Sequence, residues 1–303
     1  MIERTACAKV ILCGEHAVVY GRPAIALPLP LLRARAQIEP IASPTEIVAP
    51  DVTEHFLVGD QPDHPLSQIV TRTLAHLNQP PAASRFRLTV TSDIAVASHL
   101  GSGAAVSVAC ARSVAAWHGI ELAAADASAL AYEVEKLHHG TPSGIDNTVI
   151  AYERPVWFVR ESPPELLEMP ANLPLVIGDT GVSTPTKEPV GAVRAAWERN
   201  PDRLERQFDA IGMLVMVARR ALKLNNLPAL GTAMNANHAA LQRLGVSSLK
   251  LDDLCDAALA AGALGAKMSG GGRGGNMIVL ARDMEHAAQL RRALLDAGAT
   301  RVY

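Results

Sequence analysis

The sequence predicts an α+β fold in two domains, and three observations carry that expectation. The chain has 303 residues, enough for two cores of ordinary size. Segments with strand and helix periodicity are mixed without the regular βαβ alternation of a doubly wound sheet. Prolines crowd one stretch, at Pro155, Pro163, Pro164, Pro170 and Pro174, which sets a boundary between a domain 1–170 and a domain 171–303.

The elements follow in order. Ala8–Cys13 is a short apolar run that reads as a strand and ends at Gly14-Glu15-His16. A Gly-Arg-Pro turn at 21–23 precedes a second apolar run, Ala24–Leu27. Residues 40–65 carry five prolines and read as an irregular excursion or a pair of short edge strands, and 66–77 suits a helix. Arg85–Thr91 alternates polar and apolar residues, the period of a half-buried strand.

Val106, Cys110, Val114 and Trp117 then recur at helical spacing up to Gly119. A further helix is expected from an Asp126 cap to Gly140, followed by the turn-rich segment "TPSGIDN". The second half reads as a strand at 174–179, helices at 189–199 and 201–224, and another helix pair. Strand, glycine loop and strand follow at 265–281, then a helix at 284–297.

Composition narrows the function classes. Apolar residues make up 49% and charged residues 19%, as in a globular protein, and aromatics only 4%, so Ala, Val, Leu and Ile must fill the cores. A net charge of −2 gives no reason to expect nucleic acid or an anionic membrane surface as partner. Cys7, Cys13, Cys110 and Cys255 form no Cys-x-x-Cys pair and read as reduced thiols. The start of the chain lacks the pattern of a secretory signal, and no uncharged apolar stretch reaches a membrane span, so a cytoplasmic protein is expected.

Four segments carry chemistry. In "SHLGSGAA" (98–105), Gly101 and Gly103 allow close backbone approach, and the helix entry presents unsatisfied N–H groups suited to an anion. An ordinary Gly-Ser helix entry would look the same. "KMSGGGRGG" (267–275) has five glycines in six positions from Gly270, broken by Arg273. That is more than a hairpin needs, so it is either a close approach to a ligand or a flexible loop. Glu135 near a helix end and Asp146 in the turn are two acids eleven positions apart. Lys9, inside an apolar strand, must reach solvent, pair with an acid or serve a site. The neighbours His138 and His139 point apart on a helix and make a poor metal pair.

These pieces together resemble a known family. "KVILCGEHAVVYGRPAIALPL" (9–29) is similar to the first motif of the mevalonate kinases, within the superfamily of galactokinases, homoserine kinases, mevalonate kinases and phosphomevalonate kinases. "SHLGSGAA" resembles the second motif, "EKLHHGTPSGIDN" (135–147) the His-Gly-x-Pro-Ser-Gly-x-Asp segment, and "KMSGGGRGGNMIVL" (267–280) the third motif.

The resemblance implies a two-domain small-molecule kinase fold, with a ribosomal-protein-S5-like N-terminal domain and a ferredoxin-like C-terminal domain. It implies ATP and Mg²⁺ as cofactors and transfer of phosphate to the 5-hydroxyl of mevalonate, in isoprenoid precursor synthesis. Asp146 would contact the accepting hydroxyl, and Lys9 would pair with Asp146. Glu135 would hold Mg²⁺, with Ser102 as a second candidate. Leu100, Gly101, Ser102, Gly103, Ala104 and Gly270, Gly271 and Gly272 would surround the triphosphate, while Glu15, His16 and Thr180 would border mevalonate. Neither nucleic acid nor membrane is expected as a partner, and a homodimer is left open.

The chain departs from the family pattern in places. Ile94-Ala95 stands where proline is usual, His99 replaces a small residue, and Gly103 replaces the second serine of the loop. Arg273 interrupts the glycines, and Asn276 replaces a small residue. Two alternatives follow: a related kinase acting on the 3-hydroxyl of mevalonate or on a sugar, or a nucleotide-binding relative without catalysis.

Overall fold

The computed structural model describes all residues except 81–83, 97, 140–141, 170–172 and 186, together with the side chains of His138 and His139. The helix end expected at Gly140, the boundary at 170/171 and the paired histidine side chains therefore lie outside the described residues.

The strands and helices are β1 (Ile2–Cys13), β2 (Ala24–Pro40), β3 (Glu46–Ala49), β4 (Glu54–Leu57), α1 (Pro65–His76), β5 (Phe86–Ser92), α2 (Ser102–Trp117), α3 (Ala124–His139) and α4 (Ile145–Tyr152). They continue as β6 (Val156–Phe158), β7 (Glu165–Leu166), β8 (Leu175–Asp179), α5 (Lys187–Arg199), α6 (Pro201–Lys223), α7 (Leu227–Arg243) and α8 (Leu249–Ala260). The chain closes with β9 (Gly265–Ser269), β10 (Asn276–Leu280), α9 (Met284–Asp296) and β11 (Arg301–Val302). Helices and strands are mixed, and the fold is α+β.

The chain forms two compact units that interleave in sequence. The first comprises Met1–Lys9, Pro28–Ala95 and Gly101–Arg154; the second comprises Val10–Leu27, Val96–Leu100 and Pro155–Tyr303.

In the first unit β4, β3, β5 and β2 lie in that order, with β1 beside β2. The short pair β3–β4 fills the proline-rich excursion, antiparallel, with Ile47 opposite Phe56. Strand β5 runs antiparallel to β2 and turns Phe86, Leu88 and Val90 inward on alternate positions. Helix α2 is built from small residues, with Ala104, Ala105, Ala109, Ala111 and Ala115 all buried. Small side chains let it pack closely against α1, α3, α4 and β5, which suits a chain poor in aromatics. The Ser113 hydroxyl donates to the Ala36 carbonyl at 2.7 Å and fixes α2 to β2.

Two local expectations need correction. Asp126 is not the cap of its helix: α3 begins at Ala124, and Asp126 lies in the first turn, where its negative charge still favours the helix dipole. The "TPSGIDN" segment is not all turn. After Gly144 in the left-handed region (φ 89°), α4 starts at Ile145, so Asp146 belongs to a helix. The Ile145 N–H donates to Ser143 Oγ, and Thr148 Oγ1 donates to the Gly144 carbonyl, which closes that first turn.

In the second unit the sheet order is β11-β8-β10-β9, all antiparallel, with Asn276 opposite both Asp179 and Ser269. The first residues of β2 pair with β6, and β6 with β7. Helix α6 buries Leu204, Phe208, Ile211 and Val215 along one stripe, and its core includes Val176, Leu241, Leu254, Met268, Met277 and Leu290. Tyr20 stacks on Phe208 with ring centroids 4.1 Å apart. Asn200, Asn226, Ser248 and Asp283 cap α6, α7, α8 and α9, each accepting from a backbone N–H; such a cap contributes about 1 kcal/mol. No helix among the described residues is long and apolar enough to cross a membrane. All four cysteines are free and buried.

Candidate active site

In the first unit the structure brings Lys9, Gly101, Glu135 and Asp146 together. Lys9 Nζ lies 2.9 Å from Asp146 Oδ1; the lysine side chain is buried (3% exposed), whereas the aspartate remains 29% open. A buried ammonium needs a partner, and Asp146 is the acid that supplies one. Asn147 holds the aspartate's helix in place, since its Nδ2 donates to the Ser128 carbonyl at 3.0 Å and to Ser128 Oγ at 2.8 Å.

Gly101 is the N-cap of α2, at φ 79° and ψ 31°. A Cβ built there would come 2.8 Å from Ile150 Cδ1 and 3.0 Å from Lys9 Cγ. Glycine is required at this position twice over, for its left-handed backbone and for the passage of the Lys9 stem. Gly103 differs: a Cβ there would meet nothing within 4 Å. The first intrahelical bond of α2 runs from the Ala105 N–H to the Gly101 carbonyl, so the amides of Ser102, Gly103 and Ala104 have no acceptor within the helix. Ser102 Oγ donates to the Ile94 carbonyl at 3.3 Å, and its lone pairs stay available. Ala104 is buried.

Glu135, half-buried on α3, belongs to the same cluster electrostatically. Desolvation, and then the charge of Asp146, push its carboxyl up to about 8 despite the opposing charge of Lys9. Near pH 7 Glu135 is therefore mostly protonated, and Asp146 is the carboxylate that balances Lys9. Among the described residues, no group of three or more His, Cys, Asp or Glu side chains converges as a self-sufficient metal site.

In the second unit Glu15, His16 and Thr180 each bond to the glycine loop or to the strand that leads into it. Glu15 is 1% exposed and accepts a hydrogen bond from Lys267 Nζ, which also donates to the Met268 carbonyl at 2.6 Å; Lys267 is fully buried. His16 sits in an unusual backbone conformation, φ 61°, with Nε2 3.0 Å from the Gly271 carbonyl. Because a carbonyl only accepts, Nε2 carries the proton in this bond and Nδ1 keeps its lone pair. Burial pushes the imidazole down to about 4, so it is neutral near pH 7.

Thr180 is fully buried, and both its N–H and its hydroxyl donate to the Gly275 carbonyl, at 2.9 and 2.8 Å. Leu100 is buried at 2% exposure. Gly270 and Gly275 both adopt positive φ and leave room for the ring of His99, whose Nε2 lies 2.7 Å from the Thr184 carbonyl. Asn276 Nδ2 donates to the Ser98 carbonyl.

Three contributors went unseen in the sequence. Lys267 was legible only as the first residue of the segment that leads into the glycine run, although a lysine in an apolar strand is the same signal that marked Lys9. His99 and Asn276 stood out as departures from a pattern, but only their contacts with the glycine loop give them a purpose.

Known proteins resemble this chain over most of its length. Residues 68–154 match the family described as the GHMP kinases N terminal domain, and residues 218–300 that described as GHMP kinases C terminal. The mevalonate kinase of Thermococcus sibiricus is 36% identical over 299 residues, spanning 93% of this chain and 89% of its own. That of Pyrococcus horikoshii is 37% identical over 310 residues, spanning 95% and 92%. The crystal structure of L. major mevalonate kinase in complex with R-mevalonate matches with a TM-score of 0.84 at 27% identity, covering 99% of this chain and 94% of that one. With identity at this level over nearly the whole of both chains, this protein belongs to the mevalonate kinase family of the GHMP kinases.

Proposed function

We propose that this chain transfers the terminal phosphoryl group of ATP to the 5-hydroxyl of mevalonate. The Lys9–Asp146 pair, set beside Gly101 at the amino end of α2, carries the reading. Phosphoryl transfer asks chiefly for positioning and charge neutralisation, and a lysine with oriented amides supplies both.

In the first unit Asp146 would receive the accepting hydroxyl. Its Oδ1 is held by Lys9, which fixes the carboxylate's orientation and leaves Oδ2 to take the hydroxyl proton. The amides of Ser102, Gly103 and Ala104 would bind phosphate oxygens at the positive end of the helix. The donor set suits Mg²⁺, a hard cation commonly held by one or two carboxylates plus substrate phosphates. Glu135 and Ser102 would hold it, and the raised carboxyl of Glu135 marks a place where added positive charge is favourable. When bound, Mg²⁺ supplies charge neutralisation on the phosphates.

In the second unit Leu100 and Gly270, Gly271 and Gly272 would border the nucleotide's phosphates, while Glu15, His16 and Thr180 would serve the acceptor. A neutral His16 with its proton on Nε2 offers Nδ1 to a hydroxyl rather than to a carboxylate. Glu15 would act through the loop it anchors to Lys267 rather than by touching the acceptor. In chain order we assign residues 1–170 as the domain with the ATP loop and Asp146, and 171–303 as the domain with the glycine-rich loop.

The test is direct. The purified chain is incubated with ATP, Mg²⁺ and (R)-mevalonate, and the product is read by phosphorus NMR with coupling to the esterified carbon. A phosphomonoester at C5 is expected. Phosphate on the 3-hydroxyl would replace the acceptor position, and nucleotide binding without transfer to any alcohol would overturn the kinase reading.

A further inference from the structure

Arg273 is the non-glycine residue inside the run Gly270–Gly275, and it adopts a left-handed backbone, φ 60°, that glycine would accept without strain. The segment around it is pinned on both flanks. A Cβ at Gly272 would come 2.0 Å from the Val246 carbonyl oxygen, and one at Gly274 would come 2.5 Å from that of Val182. The Arg273 N–H donates to the Val246 carbonyl at 2.8 Å, and its own carbonyl accepts from Thr184 Oγ1 at 3.3 Å. Its backbone is thus fixed between crowded neighbours, while its side chain is exposed. A bulky residue kept at a strained position in a functional loop points to a task for that side chain.

The charges nearby suggest the task. Both reactants of the proposed reaction are anions, ATP through its phosphates and mevalonate through its carboxylate. Among the described residues of the motif segments, Lys9 is held by Asp146 and Lys267 by Glu15, whereas the Arg273 guanidinium has neither an ion pair nor a hydrogen bond. His16, bonded to Gly271 two positions before Arg273, feels the guanidinium's charge and is itself neutral.

We infer that Arg273 binds an oxyanion of the reactants, a phosphate of ATP or the carboxylate of mevalonate, as a binding residue additional to the glycine-loop amides. This rests on the kinase reading above. A guanidinium presents its donors as a planar fork that fits either group in bidentate fashion. The anion gains a charge-assisted contact, and the rigid backbone keeps the ordering cost small.

The test compares wild type with Arg273→Gly and Arg273→Lys. Calorimetry reads the binding of ATP and of (R)-mevalonate separately, and steady-state kinetics read the two KM values. Arg273→Gly is expected to weaken one ligand about tenfold or more, the size of a lost charged hydrogen bond. Arg273→Lys should recover part of that loss, and the salt dependence of binding should shrink in the glycine variant. Its melting temperature should equal or exceed that of wild type, because glycine removes the backbone strain.

Weakening confined to ATP assigns the phosphate, and weakening confined to mevalonate assigns the carboxylate. Unchanged affinity for both, or a loss that tracks a fall in melting temperature, overturns the inference. Calorimetry decides this even if mevalonate is not phosphorylated, an outcome that would count against the kinase reading alone.

Discussion

Lys9 Nζ and Asp146 Oδ1 lie 2.9 Å apart, a buried ammonium against a carboxylate that stays partly open. The asymmetry matters. The enclosed member fixes geometry, and the open member can still receive a ligand. Asp146→Asn keeps the shape and loses the base. We expect turnover to fall by roughly 10²–10⁴, the usual worth of a positioned acid or base, with nucleotide affinity nearly unchanged. Single-turnover kinetics beside nucleotide titration check this, and near-normal rates would remove Asp146 from the chemistry.

The two loop glycines should respond oppositely. Gly101→Ala forces a Cβ against Lys9 and Ile150 on a left-handed backbone, so we expect loss of both stability and activity, at a cost of about 1–3 kcal/mol. Gly103→Ser enters open space and should leave melting temperature and ATP affinity within a few-fold of wild type. Thermal melts and KM for ATP on the two variants decide it; equal damage at both would contradict the geometry.

Glu135 gives a pH dependence with a definite sign. Its carboxyl is raised to about 8 in the folded chain from an ordinary 4.5. The unliganded protein therefore has this group's full contribution to stability below about 4.5 and loses it as pH rises through 8. A cation that needs the carboxylate competes with that proton, so Mg²⁺-dependent nucleotide binding should weaken about tenfold per unit below pH 8 and level off above it. Titrations from pH 6 to 9 read the slope, which Glu135→Gln should abolish.

The Lys267–Glu15 pair is fully enclosed, so removing one member leaves a charge buried without its counterpart. Lys267→Met should cost about 3–5 kcal/mol in chemical denaturation, and Glu15→Gln added to it should return part of the loss. A single variant as stable as wild type would show that the pair carries no structural weight.

His16 predicts a sensitivity to acid. Its imidazole falls to about 4 when folded, from 6.5, so stability is complete above 6.5 and declines as pH drops towards 4. The full decline is on the order of 3 kcal/mol. Urea midpoints between pH 7 and 4 should flatten in His16→Asn.

Much of this was legible from local pattern. The alternation of Phe86, Leu88 and Val90 marked β5, which buries one face, and the spacing of Val106, Cys110 and Val114 marked α2, although that helix buries most of its sides through small residues. The four motif segments likewise pointed to Lys9, Glu135 and Asp146. Other features were hidden by residues whose local meaning is misleading.

Strand β2 runs seventeen residues through Pro28 and Pro30, which normally argue against a strand. It tolerates them where its middle is partly exposed, at Leu29 to Leu31. The helix bearing Asp146 was masked by Pro142, Ser143 and Gly144, which signal a turn and here serve as its entry. Pairings such as Lys267 with Glu15 join distant segments, and no local pattern records them.

Ser269 Oγ donates to the Ile11 carbonyl at 3.1 Å and accepts from the Ile11 N–H at 3.0 Å, across 258 positions of chain. A ribosome therefore delivers Val10–Leu27 well before β9, the strand that bonds to it, and this contact is one of high sequence separation that closes late in folding. Cutting the gene anywhere between Ile11 and Ser269 would leave the two halves of this bond on separate fragments, which would have to meet before the bond could form.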